Sequence, residues 1–575
     1  MKKIFMACAA VLFGTAAYAQ TVPDAYRLSQ PDLKGTARYM SMAGAFGALG
    51  GDLTTLSHNP AGIGVYRNSE VGFTLDLDLQ NAEATSPGQP KTSVDQTKFL
   101  LNNIGFVWTL RLPSSTCPNL NFGFTYNKTA SFNRRYRGQI GLTNSLSNYM
   151  AATTTEGGYV PGQLVGDEYN DYDPYNPYDP SDAAPWLSIM GYQSGLFFGT
   201  PNPNGTSDPY YVGEWGSNTR GVGLFDVEES GAVDSYNIAL GGNISNVVFW
   251  GMDFDITHMN YNLNPMWTET LQNARVLDTN GNFAEMDDAW SLLNYYNCSG
   301  TGFNYKLGFI VKPIQELRLG FAFQTPTWYS LTETFSAGLY NYLYDGLDSE
   351  SNDGWPGYND VNFRTPWKIN ASAAAVLFNS LILSAEYEWT QYTGMKFSMP
   401  SYSWGGDYWY PDDYYPWDYW SYATRAGNFD PYISNDPYYY TNQNVSEYYS
   451  NTNTFRFGAE YRIVPQFSVR AGYSFVSSPV KSTMKNAELT TAPTTMPNYR
   501  VDNTTSYVTC GVGYRIKSFY LDLAYVYKHM SSDFHAFSPW YDSNRIGYET
   551  SYIPSQTSSL SLNNSQIVLS AGFKF

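Results

Sequence analysis

Long apolar runs are missing from this sequence once its first residues are passed. Beyond residue 19 no stretch is apolar over the roughly 18 residues that a membrane-spanning helix needs, so such a helix is excluded. Charged residues make up only 15% of the 575 residues, and the net charge is −18. Because nucleic-acid surfaces recruit basic proteins, we expect no nucleic-acid partner for so acidic a chain.

Cysteine and histidine are also scarce. Cys117, Cys298 and Cys510 follow residue 19, an odd number at wide spacing, which predicts free thiols and not a disulfide framework. The sequence holds only 4 histidines, and none has zinc-ligand spacing to a cysteine. We therefore predict neither a metal centre nor a cofactor.

The first 19 residues have the pattern of an export signal. Lys2 and Lys3 precede the short apolar stretch 4–17, and Ala17-Tyr18-Ala19 matches a small-x-small cleavage site. Cleavage after Ala19 would send the mature chain out of the cytoplasm. The aromatic content of the full sequence, 17% with 51 tyrosines, suits strands that face lipid on one side and water on the other.

The C-terminal residues alternate with period two, which is typical of a β-strand. One face of 566–575 carries Ile567, Leu569, Ala571, Phe573 and Phe575, and the opposite face is polar or glycine. The same pattern recurs upstream and predicts fourteen strands, near 69–79, 101–112, 119–131, 233–244, 247–260, 302–312, 315–325, 366–378, 380–391, 453–463, 466–476, 505–516, 518–529 and 564–575.

The links between these strands alternate between short and long. Short turns on one rim, long loops on the other and an even strand number are the outer-membrane pattern, whereas a soluble sandwich has no reason to sort its loops. We therefore predict an all-β fold, a 14-stranded antiparallel transmembrane β-barrel within residues 68–575. Besides the link 80–100, the predicted long extracellular loops are 132–232, 261–301, 326–365, 392–452, 477–504 and 530–563.

The segment 20–67 differs from the rest, because it is rich in glycine, alanine and methionine. Gly44, Gly47, Gly50 and Gly51 make a poor free-standing helix but permit close backbone approach in a crowded space. Asn59-Pro60 is a helix-start signal, since Asn caps and Pro suits the first helical position. The glycines lack the lysine and spacing of a phosphate-binding loop. We predict that this segment is a hatch inside the barrel lumen.

The hatch sequence resembles the FadL/TodX family of outer-membrane transport proteins for hydrophobic compounds. The match lies in Gly35-Thr36-Ala37-Arg38, in the glycine steps and above all in Asn59-Pro60-Ala61-Gly62. The resemblance implies passive uptake of fatty acid-like or aromatic molecules, gated by the hatch, with lateral exit through an opening in the third strand. The residues it implies for ligand contact or gating are Met42, Phe46, Leu49, Asn59, Pro60, Ala61 and Gly62, and those for the opening are Asn121, Gly123 and Thr125.

Other roles for these residues stay open. Met42, Phe46 and Leu49 also suit packing of the hatch against the wall, and Asn59-Pro60 also suits a plain structural turn. Inward-facing charges could bind a ligand carboxylate or pair across strands and hold hatch and wall together; they are Arg318, Glu386, Glu388, Arg456, Glu460, Arg462, Arg470, Arg515 and Asp522.

The loops suggest a second class of function, a surface protein that binds glycan, haem or a host partner. A third alternative is a structural barrel without an open path. The acidic run Asp171–Asp182 offers oxygen ligands for Ca²⁺ but lacks a calcium-loop spacing. The tryptophans of the longest aromatic loop could stack sugars or pack on one another; they are Trp404, Trp409, Trp417 and Trp420.

We predict that the protein is not an enzyme. His258 and His529 fall near strand ends where a barrel hydrolase would keep its base, but neither has a serine and aspartate at recognisable spacing. The expected location is the outer membrane of a Gram-negative bacterium, as a monomer in contact with lipid and lipopolysaccharide. The terminal Phe575 suits recognition by the barrel-assembly machinery.

Overall fold

The fold is described from a computed structural model. It describes residues 22–165, 174–175, 184–202, 205, 207–277, 282–343, 347–400, 438–486, 495–541 and 552–575. The export signal, most of the acidic run Asp171–Asp182 and the tryptophans Trp404, Trp409, Trp417 and Trp420 lie outside these residues. Cys117, Cys298 and Cys510 are free thiols, as predicted.

Fourteen antiparallel strands form a closed barrel, which confirms the predicted fold class. They are β1 Glu70–Thr85, β2 Thr92–Arg111, β3 Asn119–Ser131, β4 Arg220–Ile244, β5 Val248–Leu277, β6 Phe283–Val311, β7 Leu317–Gln324, β8 Lys368–Leu377, β9 Leu381–Thr390, β10 Thr452–Val464, β11 Phe467–Val476, β12 Tyr499–Ile516, β13 Phe519–His535 and β14 Thr557–Lys574. Each strand pairs with the next, and β14 pairs with β1 along its whole length.

The outer surface of the barrel carries an apolar band near one rim. On β6, for example, the outward side chains Phe303, Tyr305, Leu307, Phe309 and Val311 are all exposed by 37–50%. Many inward positions of the same strands are glycine, polar or charged, as at Gly302, Asn304, Lys306 and Gly308 on β6. An exposed apolar outside and a polar inside are the reverse of a soluble sheet and match a wall that faces lipid. Among the described residues, no helix has the length and apolarity needed to cross a membrane.

The two rims differ as predicted. Links of a few residues join β4 to β5, β6 to β7, β8 to β9, β10 to β11 and β12 to β13 on the short-turn rim. Several of these turns place non-glycine residues at positive φ, including Ser245-Asn246 and Phe378-Asn379. Asparagine tolerates that conformation better than most residues, which suits the tight turns that join twisted strands.

The predicted loops are in part wrong, because the strands continue into them. Residues 261–301 were expected to be a loop, yet β5 and β6 are 30 and 29 residues long and pair through most of that range. The link 80–100 is likewise mostly strand, since β1 and β2 pair from Glu70 to Ala84. Above the apolar band the outward residues meet water, as at Asn260, Asn262 and Asn264, so the hydrophobic alternation stops although the backbone pairing does not.

The links of the long-loop rim contain further structure that covers this end of the barrel. Their helices are Leu146–Glu156, Pro161–Leu164, Trp186–Gln193 and Tyr439–Tyr448, with 3₁₀ turns Ser351–Gly354, Tyr392–Gly394 and Ser482–Asn486. Their strands are Arg134–Gly141, Phe197–Gly199, Tyr211–Gly213, Trp328–Asn341, Ser349–Glu350, Gly357–Arg364, Lys396–Ser398, Trp540–Tyr541 and Tyr552–Ile553.

The hatch begins with helix α1, Val22–Ser29, and continues through α2, Ala37–Ser41, α3, Thr55–His58, and a 3₁₀ helix, Pro60–Val65. Helix α1 is buried in the large aromatic cluster under the long-loop rim, where the Tyr26 ring lies 5.0 Å from the Tyr392 ring. The rest of the hatch lies nearer the short-turn rim. It therefore connects the covered long-loop end with the inner wall of the barrel.

Candidate functional site

The hatch turn Asn59–Gly64 rests on a patch of glycines on the inner wall. A Cβ at Gly251 on β5 or at Gly308 on β6 would overlap hatch atoms, and a Cβ at Gly64 of the hatch would overlap the carbonyl oxygen of Gly242 on β4. At Gly251 and Gly308 the obstacle is Pro60 or Asn59 of the hatch itself. The glycine-rich inner face of the strands thus has a direct structural use, since it admits the hatch backbone.

The side-chain amide of Asn59 stabilises this turn through hydrogen bonds of both its oxygen and its nitrogen. Its Oδ1 accepts a hydrogen bond from the Ala61 backbone N–H at 3.1 Å, which caps the 3₁₀ helix, and Pro60 occupies the first helical position. Its Nδ2 donates to the Gly47 carbonyl oxygen at 2.6 Å and so joins the turn to the glycine-rich loop. The sequence prediction of a capped helix start at Asn59-Pro60 is confirmed.

Contacts between polar and charged side chains attach the hatch to the wall around its circumference. Each joins a hatch residue to an inward side chain of a different strand: Lys34 to Asp76 at 2.7 Å, Arg38 to Glu460 at 2.9 Å, His58 to Glu386 at 2.7 Å and Asp32 to Lys528 at 3.1 Å. Burial alone would raise the pKa of the Asp32 carboxyl, but Lys528 and Lys34 outweigh burial and hold that pKa well below its usual range.

One of these contacts has the composition of a metal site. Ligand atoms of His58, Glu386 and Glu388 lie within 4.8 Å of one another. The Arg456 guanidinium already occupies the space between the carboxylates, at 2.7 Å from Glu386 and 3.1 Å from Glu388. A divalent cation would have to displace that charge, so we assign the cluster to hatch attachment and assign no metal to it.

The predicted gating residues lie in the packed part of the hatch. Met42 and Phe46 are fully buried and Leu49 is nearly so, in a cluster with wall residues such as Ala524 and Val568. Asn59, Pro60, Ala61 and Gly62 are fully buried against β4 to β6 as described above. These contacts fit the packing role considered from sequence. A role in gating stays a prediction.

The predicted lateral-opening residues also face the hatch. Asn121 donates from Nδ2 to the Ile63 carbonyl oxygen at 2.5 Å, Gly123 lies against Leu56 and Ile63, and Thr125 is buried. At all three positions β3 pairs with both β2 and β4. An opening through these residues would require a paired ladder to break, and lateral exit there stays a prediction.

A free edge exists a short distance further along the same strands. The β2–β3 ladder runs from Arg111↔Asn119 to Asn103↔Asn127 and ends there. In the described chain, residues 92–101 of β2 have ladder partners on β1 alone, while β3 beyond Asn127 pairs with β4. The strand Arg134–Gly141 lies against the far end of this edge, where the Thr92 hydroxyl donates to the Arg137 carbonyl oxygen at 2.6 Å. Phe99 on this edge is 68% exposed. The hatch reaches the gap, since the Asp32 N–H donates to the Thr129 carbonyl oxygen at 3.1 Å.

A cavity of about 170 Å³, here called the luminal cavity, lies beside this edge on the long-loop side of the hatch. Its wall combines hatch residues 28–34 with residues 127–130 of β3 and with inward side chains of β5 to β10. Lys306 on its wall is paired with Asp255 at 2.9 Å, and Lys128 with Asp234 at 2.7 Å. Lys368 lines the same cavity and has no hydrogen bond or ion pair within the described residues.

Sequence reasoning missed Lys368, Lys34 and the end of the β2–β3 ladder at Asn103↔Asn127. Lys368 begins its strand directly after Pro366-Trp367, so no alternation marked its side chain as inward. The end of the β2–β3 ladder coincides with a bulge that turns both Asn102 and Asn103 inward. The available signal was the pair of adjacent asparagines. Neighbouring residues of a regular strand face opposite sides, so two polar neighbours that both face inward indicate a bulge.

No protein-family model and no curated protein sequence matches the chain. Its structure aligns with the crystal structure of a Pseudomonas aeruginosa FadL homologue at a TM-score of 0.50 and 14% identity, over 95% of this chain and 99% of that chain. The chain has the FadL-type fold. The toluene transporters TodX of P. putida and TbuX of Ralstonia pickettii align at TM-scores of 0.45 and 0.42 and identities of 12% and 13%, each over 95% of this chain and 99% of theirs. In this FadL-type barrel, the hatch, the luminal cavity and the free edge of β2 form the candidate site.

Proposed function

We propose that this FadL-type barrel is an outer-membrane channel for passive uptake of hydrophobic small molecules, with exit into the membrane through the free edge of β2. One observation carries the proposal: the luminal cavity adjoins the point where β2 and β3 stop pairing. In this proposal, one strand edge separates a solute in the luminal cavity from the lipid. Because each CH₂ group gains about 0.8 kcal/mol on leaving water, movement into lipid needs no energy source.

The lining of the luminal cavity favours a ligand with an acidic head over a plain hydrocarbon. Lys368 is a cation without an ion pair, and the amides of Asn304 and Asn370 lie on the same wall. Leu28, Ala130 and Phe323 supply apolar contact beside them; all six residues line the one cavity. A hydrocarbon would leave the half-buried Lys368 ammonium without a counter-charge, whereas a carboxylate would pair with it. We infer a fatty acid-like substrate.

The hatch is proposed as the gate. The luminal cavity of about 170 Å³ is smaller than the roughly 300–1,000 Å³ of most small-molecule pockets, so a long chain enters only if hatch residues 28–34 move. In this proposal the rest of the hatch stays packed against the wall while residues 28–34 move. The residues that stay packed are Met42, Phe46, Leu49, Asn59, Pro60, Ala61 and Gly62.

The proposed location is the outer membrane, which the apolar outer band supports. Lipid covers that band, and lipopolysaccharide meets the aromatic side chains above it. We keep the monomeric state and recognition of Phe575 by the barrel-assembly machinery as parts of the proposal; Phe575 is 67% exposed at the short-turn rim.

Uptake of radiolabelled oleate and radiolabelled toluene tests the proposal in cells that lack their own channel for these compounds. Wild-type protein is compared with Lys368→Gln, with Asn59→Ala plus Pro60→Ala, and with Lys396→Gln as a matched charge control on the long-loop rim. We expect oleate uptake above that of empty cells, a several-fold decrease in Lys368→Gln and an unchanged rate in Lys396→Gln.

The two substrates separate the parts of the proposal. Toluene uptake without oleate uptake would keep a hydrophobic channel but overturn the acidic head group. No uptake of either compound above empty cells, with the protein folded in the outer membrane, would overturn transport of both classes. A change in uptake by the Asn59→Ala plus Pro60→Ala variant is expected if the hatch is the gate.

A surface-binding role is the second candidate, and one observation favours it. Trp355, Tyr358 and Tyr342 on the long-loop rim are exposed by 73%, 70% and 64%, far more than a loop that packs only on itself requires. Aromatic faces of this kind stack on sugar rings or on flat apolar ligands. Binding of glycan arrays or haem to wild type, lost in Trp355→Ala plus Tyr358→Ala while oleate uptake is unchanged, would establish this role.

A further inference from the structure

A second cavity lies on the opposite side of the hatch, at the short-turn rim. This rim cavity has a volume of about 370 Å³ and is bounded by Leu49, Gly50, Gly51 and Val65 of the hatch and by the rim ends of β7 to β13. The hatch residues 49–51 therefore separate the rim cavity from the packed interior. Nothing in the proposed uptake through the free edge of β2 uses this cavity.

The rim cavity is basic although the chain as a whole carries a net charge of −18. Some of its cations are neutralised by acids: Glu460 pairs with Arg38 and Arg470, Asp522 pairs with Arg470, and Glu70 pairs with Lys574. Arg318, Arg462 and Arg515 also line the cavity, and within the described residues none of them forms an ion pair. Of the two roles that the sequence left open for the inward charges, pairing holds for Glu386, Glu388, Arg456, Glu460, Arg470 and Asp522, whereas these three form no ion pair within the described residues.

Arg318 links the basic cavity to the hatch. Its Nη1 donates to the Leu49 carbonyl oxygen at 2.7 Å, while its Nε is buried without an acceptor. A buried guanidinium N–H without a partner costs free energy, and an anionic oxygen is the group that best satisfies it. An anion at this position would also compete with the Leu49 carbonyl for the same guanidinium.

Apolar groups lie next to these arginines. Val376 on β8, Ile382 on β9 and Leu49 of the hatch line the same cavity. Three unpaired guanidinium groups beside an aliphatic surface fit a molecule with one acidic head and an alkyl chain. They fit an uncharged hydrocarbon poorly, since it would leave the buried Nε of Arg318 without an acceptor, whereas Arg462 and Arg515 are exposed to solvent.

We propose that the rim cavity is a binding site for an amphipathic anion, with a carboxylate or phosphate head held by Arg318, Arg462 and Arg515 and an alkyl chain against Val376 and Ile382. This inference rests on the proposed function for its ligand class, but it assigns a separate site. Occupancy of the site weakens the bond from Arg318 to Leu49 and so loosens the hatch from its inner side.

Photolabelling of the full-length protein locates the site directly. The probe is a radiolabelled dodecanoic acid with a diazirine at the end of its chain, and its methyl ester is the uncharged control. Labelled positions are identified by mass spectrometry in wild type, in Arg318→Gln/Arg462→Gln/Arg515→Gln and in Lys312→Gln, which removes a charge on the same rim outside the cavity. A dodecyl phosphate carrying the same diazirine distinguishes phosphate from carboxylate preference.

We expect label on residues 49–51, Val376 or Ile382 in wild type and in Lys312→Gln. This label should fall about tenfold or more in the arginine variant and with the methyl ester, as loss of charged hydrogen bonds implies. Label at the luminal cavity near residues 28–34 should be unchanged in the arginine variant, which also shows that the variant is folded.

The outcomes separate this inference from the proposed function. Label confined to the luminal cavity overturns the rim site and leaves the proposed function standing. Label confined to the rim cavity supports the rim site and overturns binding beside Lys368. Label at the rim that survives in the arginine variant overturns the role of the arginines, and label at neither cavity overturns both proposals.

Discussion

Gly308 on β6 and Asn59 of the hatch lie so close together that a single methyl group at position 308 would overlap the Asn59 amide oxygen. That oxygen also caps the 3₁₀ helix Pro60–Val65, so the overlap would disturb the turn that seats the hatch. The relationship explains why a wall glycine matters to a segment about 250 residues away in the chain. It also supplies the most direct way to loosen the hatch without altering its own sequence.

Gly308→Ala is expected to displace the hatch turn. Forcing an extra methyl group into a packed site costs about 1–3 kcal/mol, which should lower the thermal unfolding temperature and raise the frequency of open-channel events in planar bilayers. Gly162→Ala is the control, because a Cβ at Gly162 meets no atom within 4 Å. Equal conductance of Gly308→Ala and wild type would show that this contact does not hold the hatch shut.

Two substitutions of Asn59 test its two bonds. Asn59→Ala loses both the oxygen that caps the 3₁₀ helix and the N–H donated to Gly47, which together contribute about 2 kcal/mol. Asn59→Asp keeps the capping oxygen, but in this fully buried site it also places an unpaired carboxylate oxygen beside the Gly47 carbonyl oxygen. We therefore expect proteolytic sensitivity of the hatch to rise in the order wild type, Ala, Asp, and an aspartate variant as resistant as wild type would show that the bond to Gly47 does not hold the hatch.

Lys34 and Asp76 form a buried pair whose side chains are both fully inaccessible. Lys34→Met leaves the Asp76 carboxylate without its partner, which should destabilise the protein by about 3–5 kcal/mol. Lys34→Met combined with Asp76→Asn should recover part of that loss, as a double-mutant cycle of thermal stability would measure.

Lys91→Met provides the comparison for this cycle. Lys91 pairs with Glu83 at 2.8 Å, but its side chain is 57% exposed, so its loss should cost less than about 1 kcal/mol. If Lys34→Met proved as mild as Lys91→Met, the buried pair would not be a main attachment of the hatch.

The free edge of β2 predicts a substitution that blocks exit but spares binding. Phe99→Arg places a charge at the edge where β2 leaves β3, and we expect it to reduce oleate uptake several-fold while photolabelling at the luminal cavity is retained. Phe122→Arg is the matched control, since Phe122 is also outward, 46% exposed, and lies in the fully paired part of β3. Equal uptake by the two variants would place the exit elsewhere.

Much of the architecture follows from local pattern. The alternation of residues such as Ile567 and Leu569, the sorting of links into short and long, and the Asn59-Pro60 turn each depend on neighbours in the chain. For that reason the strand number, the antiparallel closure and the helix start were predicted correctly. Strand ends were not, because above the apolar band the outward residues of β5 and β6 turn polar while hydrogen bonding between the strands continues.

The sequence by itself determined a fourteen-stranded barrel with a glycine-rich hatch and an inner wall bearing both charge signs. Only the tertiary structure decided which of those charges are neutralised. His58 meets Glu386 across 328 residues of chain, whereas Lys368 and Arg318 form no ion pair within the described residues. Such pairing depends on the register of strands far apart in sequence and on where the hatch backbone passes, and neither is encoded in a local period. The free edge of β2 has the same origin, because it depends on where β3 turns to pair with β4 instead.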